Sequence, residues 1–171
     1  SGIHWTPLQV AIVAANFLAP GSGDRVVDVG AGPGKFCIAG SLLTQGDYTG
    51  IELKRPLVIA GNKVISNLGI ERATLIQGDF IDFDLGQFSG IYFYNSFQEH
   101  LAVSTGSDHP ISISETLYER YTQHFLQTLK GMPAGTKLAT YWLSASEVPG
   151  CYRQVSSQFN NLLKLWVKEK G

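Results

Sequence analysis

Short apolar runs and longer amphipathic stretches alternate along most of this chain. A run of about four to eight apolar or β-branched residues predicts a buried strand, and apolar residues at every third or fourth position predict a helix. The patterns predict strands over residues 25–29, 48–53, 73–77, 90–94 and 136–143. They predict helices over residues 8–18, 35–43 and 55–68, and a longer helix that begins at Ser114.

The long helix has the clearest pattern. Its predicted buried stripe repeats every fourth position and consists of Leu117, Tyr121, Phe125 and Leu129. Ser114 is its predicted N-cap, because a serine oxygen accepts from the free amides of a first helical turn. Thr6 is the predicted N-cap of the first helix, with Pro7 at its first position. The polar residues 101–113 are expected to form a substrate lid or a mobile loop.

Alternating strands and helices predict a parallel sheet that is covered by helices on both faces. The last two apolar runs, residues 154–159 and 162–168, flank Asn160 and Asn161 and predict a closing hairpin. We therefore expect a three-layer α/β fold with a mostly parallel sheet and a terminal antiparallel hairpin.

The length and composition are those of one globular unit. The chain has 171 residues, of which 44% are hydrophobic and 16% are charged. A chain of this size buries one hydrophobic core. We expect a single domain over residues 1–171, with an N-terminal segment and helix in residues 1–22 and a core in residues 23–171.

Charge and cysteine content exclude some functions. The net charge of −1 provides no basic field for nucleic acid. Lys164, Lys168 and Lys170 are expected on a solvated strand face. Cys37 and Cys151 lack paired spacing, so we expect no disulfide, no metal site and a reducing, cytoplasmic location. No apolar run is long enough to span a bilayer.

A glycine loop is the most informative motif. The first predicted strand ends in Asp28-Val29, followed by Gly30-Ala31-Gly32-Pro33-Gly34 and a helix from Lys35. Glycines let the backbone turn sharply and approach a ligand, and the helix N-terminus offers free amides. The alternative, a tight turn that binds nothing, is disfavoured because three glycines follow the strand directly.

Two nucleotide-binding motifs do not match this loop. A P-loop requires a first glycine where Val29 stands and a hydroxyl where Phe36 stands. The dinucleotide fingerprint requires a third glycine at position 35, which is a lysine. Asp28 is also unusual beside a pyrophosphate, whereas it suits a ligand that carries positive charge.

Two further acids follow the next strands. Glu52 ends the second strand, within reach of the two hydroxyls of a ribose above the glycine loop. Asp79 follows the third strand and can accept from an adenine amine, with Leu53 and Phe80 as apolar contacts. Each acid alone is most simply a solvated residue. Together they lie at the edge where open α/β sheets bind ligands.

Asp28 to Gly34, Glu52 and Gly78-Asp79-Phe80 resemble the first three motifs of class I S-adenosylmethionine-dependent methyltransferases. The resemblance implies a Rossmann-like, seven-stranded sheet with one inserted antiparallel strand. It implies that Glu52 holds the cofactor's ribose and Asp79 its adenine. The loop of Gly30, Ala31, Gly32 and Gly34 would hold its methionine portion. Thr6 belongs to an N-terminal segment that resembles one group of protein-lysine methyltransferases, in which that segment folds over the cofactor.

Candidate catalytic residues follow the fourth strand. In many amino-methylating members of the class an Asn or Asp stands here before two prolines and an aromatic residue. This chain has Asn95 and Phe97 without the prolines. Asn95 either orients an acceptor amine or caps a turn. Glu99, with His100 next to it, and Tyr94 are the candidate bases, and the alternative for each is an ordinary surface residue.

The sequence therefore predicts methyl transfer from S-adenosyl-L-methionine, without a metal, to a nitrogen. A sequence His4-Trp5-Thr6-Pro7 before the first helix resembles one group of protein-lysine methyltransferases. Protein lysine is accordingly placed slightly ahead of a small-molecule or RNA acceptor. A cofactor-binding interaction module and an NAD(P)-dependent oxidoreductase are the alternatives, and the oligomeric state is open.

Overall fold

A computed structural model describes residues 6–94 and 111–170. The helices are α1 (Leu8–Leu18), α2 (Lys35–Leu43), α3 (Arg55–Asn67) and α4 (Ile111–Gly131). The strands are β1 (Arg25–Val29), β2 (Asp47–Glu52), β3 (Ala73–Gln77), β4 (Gly90–Tyr94), β5 (Lys137–Tyr141), β6 (Tyr152–Gln158) and β7 (Leu163–Lys168). No helix in the described ranges is long and apolar enough to cross a membrane.

The strands form a seven-stranded sheet in the order β3-β2-β1-β4-β5-β7-β6. β1 pairs in parallel with β2 and β4, and β5 continues the parallel set. β7 runs antiparallel to both β5 and β6. The predicted fold class, with its terminal antiparallel hairpin, is confirmed.

Each face of the sheet has its own core. On one face α1, α2 and α3 cover alternate strand residues such as Val26 and Tyr92. On the other face α4 covers Val27, Ile91 and Phe93. The predicted stripe of α4 faces this second core, with Tyr121, Phe125 and Leu129 buried and Leu117 packed against them. Three layers result, and the carboxyl ends of β1 to β5 are left at one edge.

Both predicted N-caps are wrong. The N-cap of α1 is Pro7, without a side-chain cap, because the Thr6 hydroxyl is bonded to Tyr92 instead. Helix α4 already begins at Ile111, so Ser114 lies inside it. Residues 111–113 are therefore helical rather than part of the predicted loop, and residues 101–110 lie outside the described ranges.

Lys168 is also placed differently from the prediction. Only 8% of its surface is exposed. Its Nζ donates to the carbonyl oxygens of Leu129 and Lys130 at the end of α4. A buried ammonium group requires such acceptors, and here it completes the hydrogen bonding of a helix C-terminus.

Candidate functional site

The loop after β1 has the backbone that its glycines predict. Gly30, Gly32 and Gly34 have φ values of 76°, 57° and 78°, in the left-handed region. The amides of Gly30 and Ala31 donate to the Ile51 carbonyl at 2.9 and 3.1 Å. The loop thus turns around the end of β2 before α2 begins.

Glu52 holds this loop in place. Its Oε2 accepts from the Gly32 amide at 2.8 Å, and its Oε1 accepts from the Lys54 amide at 2.8 Å. The side chain is 8% exposed. The sequence placed Glu52 beside the loop because neighbouring parallel strands end together, and the structure joins the two directly.

Asp28 lies beneath the loop, on the face covered by α2. It is 4% exposed, and the Cys37 thiol donates to its Oδ2 across 3.9 Å. Burial, reinforced by the negative charge of Glu52, raises the pKa of Asp28 to about 8. A positively charged group nearby would favour the ionised carboxylate and oppose this shift.

Asp79 follows β3 and is partly buried. Its Oδ1 accepts from the Ile81 amide at 3.2 Å, which caps a short 3₁₀ turn. Tyr121 donates its hydroxyl to Asp79 Oδ2 at 2.6 Å. Burial and the Asp79 carboxylate raise the pKa of Tyr121 to about 12, so the phenol remains the donor. The sequence pattern predicted only a core role for Tyr121, although a phenol in an apolar stripe indicates a polar partner.

Leu53 and Phe80, the two predicted apolar contacts to an adenine ring, differ in how far they are buried. Phe80 is 6% exposed, and its ring packs beside those of Tyr121 and Phe125. Leu53 is 50% exposed at the end of β2. Leu53 therefore keeps a free apolar surface, whereas the ring of Phe80 is largely covered by the core.

Thr6 reaches the sheet from the start of α1. Its Oγ1 lies 3.0 Å from the Tyr92 hydroxyl oxygen, and both residues are buried. The Phe36 ring stacks on Tyr92 with centroids 3.9 Å apart. Tyr92 is the register partner of Asp28, so Thr6 is anchored close to the start of the glycine loop.

The carboxyl ends of β4 and β5 carry aromatic side chains. Tyr94 is half-buried, and its ring meets that of Tyr141 with centroids 4.9 Å apart. Trp142, the next residue, is 55% exposed. The two other predicted catalytic residues, Asn95 and Glu99, lie outside the described residues. Within the described ranges, no group of three or more His, Cys, Asp or Glu residues is placed to hold a metal ion.

The chain is similar in structure to several solved proteins. An RNA methyltransferase from Salinibacter ruber in complex with S-adenosyl-L-homocysteine matches with a TM-score of 0.68 and 17% identity, over 98% of this chain and 95% of that chain. A mutant of MtNAS in complex with S-adenosylmethionine matches with a TM-score of 0.65 and 17% identity, over 95% and 60% of the two chains. The [4+2]-cyclase SpnF matches with a TM-score of 0.59 and 16% identity, over 81% and 47%.

No protein-family model matches this chain, and no curated protein does. At these identities the similarity defines the fold. This chain has the Rossmann-like fold of class I methyltransferases.

Proposed function

We propose that this chain is an S-adenosyl-L-methionine-dependent methyltransferase. The observation that carries the proposal is the arrangement at one edge of the sheet. Glu52 ends β2 and Asp79 lies just after the adjacent parallel strand β3, and Glu52 is bonded to the glycine loop at Gly32. Carboxylates in these positions suit the ribose hydroxyls and the exocyclic amine of an adenosine.

The residues present fit this cofactor. Each oxygen of Glu52 already accepts from one backbone amide. A carboxylate has about four lone-pair sites, so two remain for a pair of hydroxyls while the loop stays anchored. A Cβ built on Gly32 would meet no atom within 4 Å, so the loop borders open space.

The carboxyl group beneath the loop favours a cationic ligand. Asp28 is buried, and the Cys37 thiol donates to its carboxyl group. A sulfonium and an ammonium group would stabilise its ionised form and oppose the raised pKa, whereas a pyrophosphate would keep it neutral and gain no attraction from it. This difference supports S-adenosylmethionine over NAD(P), and it argues against the oxidoreductase alternative.

The similar solved structures support S-adenosylmethionine as the ligand more directly than they support methyl transfer as the reaction. Two of the similar proteins were crystallised with S-adenosylmethionine or its demethylated product. Another is named a [4+2]-cyclase, so the fold also serves reactions of a different kind. A cofactor-binding interaction module therefore stays the second candidate for this chain.

When bound, the cofactor supplies an activated methyl group on a sulfonium. The protein's task is to position the acceptor in line and to exclude water. The Thr6 hydroxyl is bonded to Tyr92 near the loop, and Tyr94 borders the proposed acceptor side. Asn95 is proposed to orient an acceptor nitrogen, and Glu99 to remove a proton where the acceptor arrives charged.

A methyl-transfer assay tests this function. The protein is incubated with S-adenosylmethionine labelled on the methyl group, together with lysine peptides, short RNAs or small amines. Transfer to any of these, lost in Asn95→Ala and retained in Ser146→Ala on an exposed turn, supports the proposal. Cofactor binding without transfer to any acceptor would favour the interaction module.

A further inference from the structure

The Asp79 carboxylate is held by two donors from different parts of the chain. Its Oδ1 accepts from the Ile81 amide at 3.2 Å, two residues further along. Its Oδ2 accepts from the Tyr121 hydroxyl at 2.6 Å, which reaches it from α4 and is 42 residues away in the sequence. Both oxygens of this partly buried group are therefore fixed, and with them the plane of the carboxylate.

The turn after β3 does not require the phenol. Asp84 caps the next 3₁₀ turn in the same way, with its Oδ1 accepting from the Gly86 amide at 2.8 Å. Among the described residues, no side chain donates to the other oxygen of Asp84. One oxygen is thus enough to cap a turn of this kind, so capping does not account for the second bond of Asp79.

The core does not require the Tyr121 hydroxyl either. Tyr121 belongs to the apolar stripe of α4, in which Phe125 fills the next position without a hydroxyl. The residue is 7% exposed, and its ring lies beside that of Phe80 with centroids 5.6 Å apart. A phenylalanine would keep these ring contacts. The hydroxyl adds the bond to the carboxylate, and because the pKa of Tyr121 is raised to about 12, the phenol stays the donor at neutral pH.

Asp79 lies beside the proposed ribose site. The Gly78 amide donates to the Glu52 carbonyl at 3.0 Å, so Asp79 directly follows the residue that is bonded to the end of β2. Neighbouring strands are about 5 Å apart, and one nucleoside is long enough to meet both acids. An ionised carboxylate can only accept a hydrogen bond. It therefore distinguishes the exocyclic amine of adenine, which donates, from the exocyclic oxygen of hypoxanthine, which accepts.

We propose that Tyr121 is a positioning residue that makes the site selective for adenine, because it fixes Asp79 as the acceptor for the exocyclic amine. The inference rests on the proposed function and adds a specificity-determining residue to its cofactor site. The doubly bonded carboxylate keeps lone pairs for the amine. It can turn away from a hypoxanthine oxygen only by losing one of its own bonds. Without the phenol it turns more freely, and hypoxanthine is penalised less.

The test compares two ligands by calorimetric titration. They are S-adenosyl-L-homocysteine and its inosine counterpart, in which an oxygen replaces the exocyclic amine. The wild type should bind the adenosine ligand about 10-fold to about 100-fold more tightly than the inosine ligand. Tyr121→Phe should lower this preference by about threefold or more. Tyr152→Phe, which removes a phenol bonded to the Leu129 carbonyl, is the matched control and should keep the full preference.

A second background separates positioning from packing. Asp79→Asn should by itself remove most of the preference for the adenosine ligand. Adding Tyr121→Phe to Asp79→Asn should lower the preference no further, because the phenol acts through the carboxylate. An equal loss of preference in both backgrounds would overturn the inference, and so would a wild type that binds the two ligands equally.

The same titrations separate this inference from the proposed function. Binding of S-adenosyl-L-homocysteine, with an unchanged preference in Tyr121→Phe, would overturn the role of Tyr121 and leave the proposed cofactor in place. No binding of either ligand to the folded wild type would overturn the proposed cofactor and this inference with it.

Discussion

The Glu52 carboxylate accepts a hydrogen bond from the Gly32 amide across 2.8 Å and so joins the end of β2 to the loop after β1. Its other oxygen accepts from the Lys54 amide. One side chain therefore sets the shape of the loop and faces the proposed ribose.

Glu52→Gln should destabilise the protein by about 1–3 kcal/mol. A glutamine has one acceptor oxygen, so one of the two backbone amides loses its partner. The free energy of unfolding in urea measures this effect. Glu71→Gln, at an exposed residue, is the control and should change the free energy by no more than about 0.5 kcal/mol. Equal changes in the free energy of unfolding for the two variants would show that the contact between Glu52 and Gly32 does not hold the loop.

Asp28→Asn should make stability less dependent on pH. Burial raises the pKa of Asp28 from 3.8 to about 8. Between these values the folded protein keeps a proton that the unfolded chain releases, so stability falls as the pH rises through this window. The asparagine variant lacks this loss and should be more stable than the wild type by about 2–5 kcal/mol near pH ~9.

The measurement for Asp28 is urea denaturation at several pH values. The extra stability of the asparagine variant over the wild type should decrease toward acid pH. Asp47→Asn, at an exposed residue, should show no such trend. A gain that is the same at every pH would refute the buried, protonated carboxyl group.

Gly40→Ala should destabilise the packing of α2 on the sheet. A Cβ at Gly40 would lie 2.3 Å from a Tyr48 ring carbon. Tyr48 is 1% exposed and cannot move aside easily. We expect a loss of about 1–3 kcal/mol by thermal denaturation. Gly131→Ala is the matched control, because its Cβ would meet nothing within 4 Å, and it should be neutral or slightly stabilising.

A double-mutant cycle tests the anchor between Thr6 and Tyr92. Thr6→Val and Tyr92→Phe remove the two hydroxyls, which lie 3.0 Å apart. Their combined effect on stability should be about 0.5–1.5 kcal/mol smaller than the sum of the single effects. Thr6→Val combined with Tyr152→Phe should be additive, since the Tyr152 hydroxyl bonds Leu129 instead. Additivity in both cycles would mean that this bond does not anchor Thr6.

Much of the fold is predictable from local pattern. The bounds predicted for β1, α2, β3 and β4 coincide with the observed ones, because glycine or a polar residue ends each run. The predicted β5 was too long. Its last two residues leave the strand because Trp142 has a left-handed backbone, which hydrophobic periodicity cannot reveal.

The positions of the candidate site residues are predictable where they depend on the order of the strands in the sheet. Glu52 lies beside the glycine loop because parallel strands end together. Contacts between distant segments were not predictable. The Thr6 hydroxyl is hydrogen-bonded to Tyr92 and does not cap α1, and the Lys168 ammonium group donates to a carbonyl at the end of α4. Local pattern predicted that Thr6 caps the first helix and that Lys168 lies in solvent, whereas the tertiary structure bonds each of them to a distant segment.

The most direct test of the proposed cofactor is calorimetric titration of the protein with S-adenosyl-L-homocysteine, with NAD as the control ligand. We expect S-adenosyl-L-homocysteine to bind at micromolar concentrations or below and NAD not to bind. Asp79→Asn should weaken the affinity by roughly 1–3 kcal/mol, and Asp84→Asn, which alters an exposed turn, should not. Binding of NAD, or no binding of S-adenosyl-L-homocysteine to the folded wild-type protein, would contradict the assignment.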